Sequence, residues 1–153
     1  MNSQVQLEWV ARYNSQSNGS DYARAMAIDS MGNVYVLGAD ADDPPGPLVL
    51  KYNSSGQLVW KRKLTTISQL LYSGGREISV DKEGNVLIGG VVGKDYFIIK
   101  YDLNGLEQWV RRHTGTAGGR SELFDISVYK DSGSMITAEQ GPVATGYVKN
   151  IGT

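Results

Sequence analysis

The sequence predicts an all-β chain assembled from repeated four-stranded antiparallel units. Three observations lead there: a phrase stated twice, apolar runs with the length and composition of strands, and a tight-turn signature that recurs at fixed places. The phrase "SDYARAMAIDSMGNVYVLG" (20–38) returns loosely as "SGGREISVDKEGNVLIGG" (73–90), and "LVLKYNSSGQLVWKRK" (48–63) returns as "FIIKYDLNGLEQWVRR" (97–112). Lys51, Lys100 and Lys149 fall 49 residues apart, as do Trp60 and Trp109. Trp9 precedes Trp60 by 51, the excess being absorbed by the loop "ADADDPPGP". A period near 50 identifies a repeat architecture before any other feature is considered.

Within each unit the apolar runs are short, rich in Val, Ile and Tyr, and bounded by Gly, Asn, Asp and Ser. Helical spacing never persists. Strand A is expected near 23–29, 75–81 and 123–129, and strand B near 33–39, 85–92 and 134–140. Strand C is expected near 47–53, 96–102 and 145–149, and strand D near 57–63 and 106–113. "DSMGN" and "DKEGN" join A to B, while "NSSG" and "DLNG" join C to D. In each turn an Asx side chain bonds the backbone ahead of it and a glycine supplies positive φ, which makes these hairpins.

Strand C carries Leu48, Leu50 and Tyr52 on one face and Val49 and Lys51 on the other, with Phe97, Ile99, Tyr101 and Ile98, Lys100 repeating the arrangement. A sheet apolar on both faces has to lie between copies of itself, which is the packing logic of a β-propeller blade. The third unit, "LFDISVYKDSGSMITA" onward, lacks a clean final strand. The opening "QLEWVARYN" matches strand D, "QLVWKRKLT" and "LEQWVRRHT". The expected organisation is therefore an outer strand at 7–13, units at 23–63 and 75–113, and an incomplete unit at 122–150. Three such units do not close a ring, because closed propellers use about 4 to 8. Either the chain is part of a longer propeller, or copies associate as a homo-oligomeric ring in which 7–13 supplies a neighbour's outer strand.

Asp21, Tyr22, Ala23, Asp29, Gly32, Asn33, Tyr35, Val36 and Gly38, followed by Lys51, Tyr52, Gly56 and Trp60, resemble the repeat of the β-propeller repeat proteins often described as seven-bladed. The resemblance runs along nearly the whole chain and is strongest over 9–112. It implies a propeller fold and non-catalytic, often surface-exposed or secreted proteins, and it transfers no active site. The C-to-D segment is also similar to the docking motif of quinoprotein dehydrogenases. Here Asp102 lies three residues before Gly105 instead of four, no Thr precedes the glycine, and no quinone or calcium ligand set is discernible.

Composition narrows the function classes. The 153 residues carry 15 Lys and Arg against 16 Asp and Glu, mixed along the chain, so no electrostatic footprint for nucleic acid or an anionic membrane is expected. "KRK" (61–63) and "RR" (111–112) are expected as solvated strand ends. The absence of cysteine removes disulfides and thiolate chemistry. "MNSQVQLEWV" lacks the basic start and apolar run of a signal peptide, and no stretch is apolar enough to span a bilayer, so a soluble product without membrane insertion is expected. His113, the one histidine, has no Ser or carboxylate at a diagnostic spacing. "DADDPPG" (40–46) lacks the spacing of a calcium loop, and the "GGR" and "GTAGG" stretches lack that of a phosphate loop.

No catalytic, cofactor or metal residues are therefore expected. The A-to-B and C-to-D turns repeat closely on one rim, whereas the D-to-A and B-to-C connections on the other vary. Variable loops on a rigid scaffold are where binding resides, which makes Tyr22, Asp40, Asp42, Asp43, Tyr72, Arg76 and Arg120 the candidate ligand rim. The expected function is a non-enzymatic scaffold or recognition surface for protein or glycan. The alternatives are a fragment of a quinoprotein-like or other propeller enzyme and a purely structural repeat segment of a larger surface protein.

Overall fold

The computed structural model describes residues 6–42, 46–64, 73–93, 95–113, 126, 135–140 and 144–149. These residues form only strands, turns and extended chain. The first unit comprises β1 (Tyr22–Ile28), β2 (Val34–Asp40), β3 (Gly46–Tyr52) and β4 (Leu58–Lys63), paired antiparallel in that order. The second comprises β5 (Ser73–Val80), β6 (Val86–Val92), β7 (Asp95–Tyr101) and β8 (Glu107–His113), again in sequential order. β9 (Met135–Gln140) and β10 (Ala144–Lys149) form a further antiparallel pair. The expected strand A of the third unit lies outside the described residues except for Ile126.

Four hairpin turns share one construction. Asp29 Oδ1 accepts the backbone N–H of Met31 and of Asn33, and Asp81 repeats this with Glu83 and Asn85. Asn53 does the same with Ser55 and Gln57, and Asp102 with Asn104 and Leu106. The glycine before the last residue of each turn has φ between 75° and 82°, a region that a side-chain-bearing residue enters only under strain. Spacing and chemistry thus convert directly into geometry.

The two four-stranded sheets pack face to face. Tyr35, Leu37, Val49, Trp60 and Leu64 of the first unit meet Ile78, Val86, Ile88, Val92, Phe97, Ile99 and Tyr101 of the second in one buried cluster. Trp60 holds the seam together. Its indole, 8% exposed, donates to the Leu103 carbonyl at 3.2 Å and lies against Gly105, where a Cβ would come within 3.0 Å of the ring. Arg62 adds bonds to the Gly105 and Asn104 carbonyls at 2.7 and 3.2 Å, and Lys51 is a second donor to the Leu103 carbonyl at 3.2 Å. The C-to-D turn of one sheet is therefore a socket for strand D of the sheet before it.

Residues 7–13 depart from expectation, because they form no strand: among the described residues no neighbouring backbone pairs with them. A strand exists only where another edge completes its hydrogen bonds. The segment lies instead across the outer face of the first sheet, with Trp9 donating to the Ser54 carbonyl at 3.1 Å and seated on Gly56. "KRK" also departs from expectation: Arg62 is committed to the second sheet, and Lys61 and Lys63 each have partners described below.

Replacing Trp60 with Ala removes a buried indole and leaves its socket empty, and is expected to cost about 3 to 5 kcal/mol in urea denaturation. Asp29 yields a second prediction. Burial works to raise its pKa, but the bonds from Asn33, Met31 and Tyr35 prevail and hold it below the ordinary 3.8. Such a carboxyl contributes stability that is complete above its unfolded-state value and is lost as pH falls through the folded-state value. Denaturation midpoints measured from about pH 5 to about pH 2 are expected to fall more steeply for the wild type than for Asp29→Asn.

Candidate functional site

On the rim opposite the Asx-Gly turns, the first unit gathers charges from three segments. Asp40 closes β2, Asp42 follows it, and Lys61 and Lys63 lie two apart on β4, so that both lysines share one face. Lys63 Nζ stands 2.7 Å from Asp40 Oδ1 as an ion pair, both side chains being largely withdrawn from solvent. It also donates to the Asp42 carbonyl at 2.9 Å. Tyr13 donates its hydroxyl to Asp40 Oδ2 at 3.1 Å and accepts from Lys61 Nζ at 3.0 Å. Lys61 stands 3.9 Å from Asp42. The Tyr13 bond, with smaller help from Asp40 and Asp42, holds the Lys61 ammonium above its ordinary range despite some desolvation.

Asp21 extends the network. Its carboxylate accepts the Ser15 N–H at 2.7 Å and the Ala41 N–H at 3.2 Å, and the Ser15 bond is the main reason its pKa is lowered. The Ser17 N–H bonds Asp42. The N-terminal segment is thereby pinned at this rim by Tyr13, Ser15 and Ser17, and at the other by Trp9.

Between that segment and the first sheet runs a cleft of about 320 Å³, lined by Trp9, Tyr13, Tyr22 and Tyr52 together with Val34, Val36, Leu48 and Leu50. Burial first, then the nearby Tyr13, raises the Tyr52 pKa above its ordinary value. The walls are apolar and aromatic, with Asp21 as the carboxylate at the margin.

Of the residues singled out from sequence, Tyr22 is exposed and lines this cleft, and Asp42 sits in the lysine network. Asp40 is 3% exposed and enclosed by Lys63 and Tyr13, so contact with a ligand falls to its neighbours. Arg76 is exposed at the bulge of β5, away from this network. Arg24 occupies the same bulged position in β1 and is its unpredicted counterpart. Asp43, Tyr72 and Arg120 lie outside the described residues. Sequence reasoning missed Tyr13, Asp21, Lys61 and Lys63; the signal available was the matched two-residue spacing of Asp40 with Asp42 and Lys61 with Lys63.

Among the described residues no three His, Cys, Asp or Glu side chains converge as metal ligands, and no helix is long and apolar enough to cross a membrane. His113 stacks on its cross-strand partner Tyr96, with ring centroids 4.9 Å apart, as a packed ring at a strand end. No protein-family model and no curated protein matches this chain.

Lys63→Ala strands the Asp40 carboxylate in a buried position and is expected to destabilise the fold by about 3 kcal/mol. Asp40→Asn combined with Lys63→Ala removes the stranded charge. Thermal denaturation of the pair should show the double variant more stable than the single one.

Proposed function

We propose that this chain is a non-enzymatic propeller-repeat module whose variable rim recognises a protein or a glycan. The supporting observation is a division of labour between the two rims. On one, the sockets formed by Asx-Gly turns receive Trp60, Arg62 and Lys51 and hold the sheets together. The other rim is stiffened by internal bonds and ion pairs, and it displays Tyr22, Asp42, Lys61 and the bulged Arg24 and Arg76. A pre-ordered array of aromatic and charged groups loses little entropy on binding, which suits recognition of polar partners. The resemblance to propeller repeats from 9 to 112 points the same way, and the paired carboxylates and lysines are arranged for rigidity rather than for proton transfer.

The test is a glycan-array and protein-array screen of the purified chain, repeated with Tyr22→Ala, Asp42→Ala and Arg76→Ala combined. These positions are outside the buried core, so folding should persist by circular dichroism. Binding weakened at least about tenfold, equivalent to about 1.4 kcal/mol, is the expected result. Unchanged affinity would place recognition elsewhere, and substrate turnover would overturn the non-enzymatic reading.

A further inference from the structure

The two sheets correspond residue by residue, and that correspondence exposes an unfilled position. Val34, Val36, Leu48, Leu50 and Tyr52 on the outer face of the first sheet match Val86, Ile88, Phe97, Ile99 and Tyr101 on the inner face of the second, by their places in the strand registers. The second set is buried under the first sheet. Among the described residues the first set is covered by the N-terminal segment alone, through Ala11, Tyr13 and the Trp9 ring stacked on Tyr52. Met26 and Ile28, opposite Val36 and Val34, are 62% and 59% exposed, whereas their counterparts Ile78 and Val80 pack into the seam.

The N-terminal segment is placed as the outermost strand of a sheet that would cover this face. Trp9 bonds the Ser54 carbonyl and rests on Gly56, as Trp60 bonds the Leu103 carbonyl and rests on Gly105. From Glu8 to Tyr13 exposure alternates residue by residue, the two-residue period of a strand. A strand D is thus held in position with its backbone unpaired, and the cleft beside it opens along the face that strands A, B and C of its sheet would cover. β9 and β10 supply strands B and C of a unit in which no strand D is described, and their Lys149 stands at the position of Lys51 and Lys100.

We infer that the outer face of the first sheet, with residues 8–13, is the docking site for the third unit of a second copy of this chain. β10 of that copy pairs antiparallel with 8–13, and the aromatic cleft is filled by protein. The register follows from the two complete sheets, where Lys51 lies opposite Trp60 and Leu50 opposite Lys61, and Lys100 opposite Trp109 and Ile99 opposite Val110. Lys149 of the second copy therefore faces Trp9, and Val148 faces Val10. Such an interface is head to tail: each copy gives one surface and receives the other, so copies propagate until a ring closes. It adds a backbone ladder to burial of the apolar face, the mode of strand addition. The rim and this interface share Tyr22, which lines the cleft, whereas Asp42 and Arg76 belong to the rim alone and keep the two tests distinguishable.

The chain has no cysteine, which makes disulfide trapping unambiguous. Directly opposed strand residues have Cα atoms about 4.5 to 5.5 Å apart, within disulfide reach. Val10→Cys and Val148→Cys are prepared separately, mixed and oxidised, with each variant alone as control. The expected result is a covalent dimer in the mixture, at least about tenfold more abundant than in either control, and a light-scattering mass of two or more chains for the wild type. The second variant, Met26→Glu, changes a residue already exposed in one chain. It should lower the associated fraction while circular dichroism stays unchanged. A monomeric wild type, a bridge formed within one chain by Val10→Cys combined with Val148→Cys, or dimers formed equally well by Val10→Cys alone would each overturn the inference.

Discussion

The structure depends on one joint: an indole from strand D of one sheet inserted against the C-to-D turn of the next. A turn that accepts a tryptophan needs a carbonyl aimed at the indole N–H and a residue without a side chain beneath the ring. The Asx-Gly turn provides both, because the positive φ that closes the hairpin already demands glycine. One residue satisfies a local and a tertiary requirement together. The repeat period thereby carries packing information, since each of the two complete units brings both an indole and the socket for the indole before it.

The joint is conserved between the two complete sheets while its surroundings are not. In the first unit Tyr35 donates its hydroxyl to Asp29 Oδ2 at 3.1 Å, and Lys51 lies over the Tyr35 ring at 5.0 Å. Leu87 stands in place of that tyrosine in the second, and Lys100 approaches Asp81 to 3.7 Å instead. Both arrangements give a half-buried or buried turn carboxylate a positive or hydroxylic neighbour, which a desolvated acid requires. The units therefore diverged in side chains while the backbone plan stayed the same, as expected if that plan is secured by turns and the indole joint.

The lysine network of the first unit has no counterpart in the second, where Val92, Val110 and Arg112 stand at the positions of Asp40, Lys61 and Lys63. It occurs only where the N-terminal segment crosses, and Tyr13 is its centre. The charges thus serve to hold a length of chain that lacks a backbone ladder. Side-chain bonds at Trp9, Tyr13 and Ser15 replace main-chain pairing, and they leave the main chain of 8–13 available for a partner edge.

The sequence by itself determined the strands, the hairpins and the sheet order, because each rests on local chemistry: apolar alternation, Asx side chains ahead of a backbone N–H, and glycine at positive φ. Strand limits agree with the pattern to within about two residues for the same reason. The packing role of the tryptophans was legible as well, since three of them recur at one register position. Only the tertiary structure decided that 7–13 lies on the first sheet without becoming a strand, that Asp40 is enclosed, and that "KRK" is engaged by partners. Each of those depends on which surfaces meet across the chain, and neither an ion pair from residue 40 to residue 63 nor a missing backbone edge leaves a periodic trace in the residues beside it.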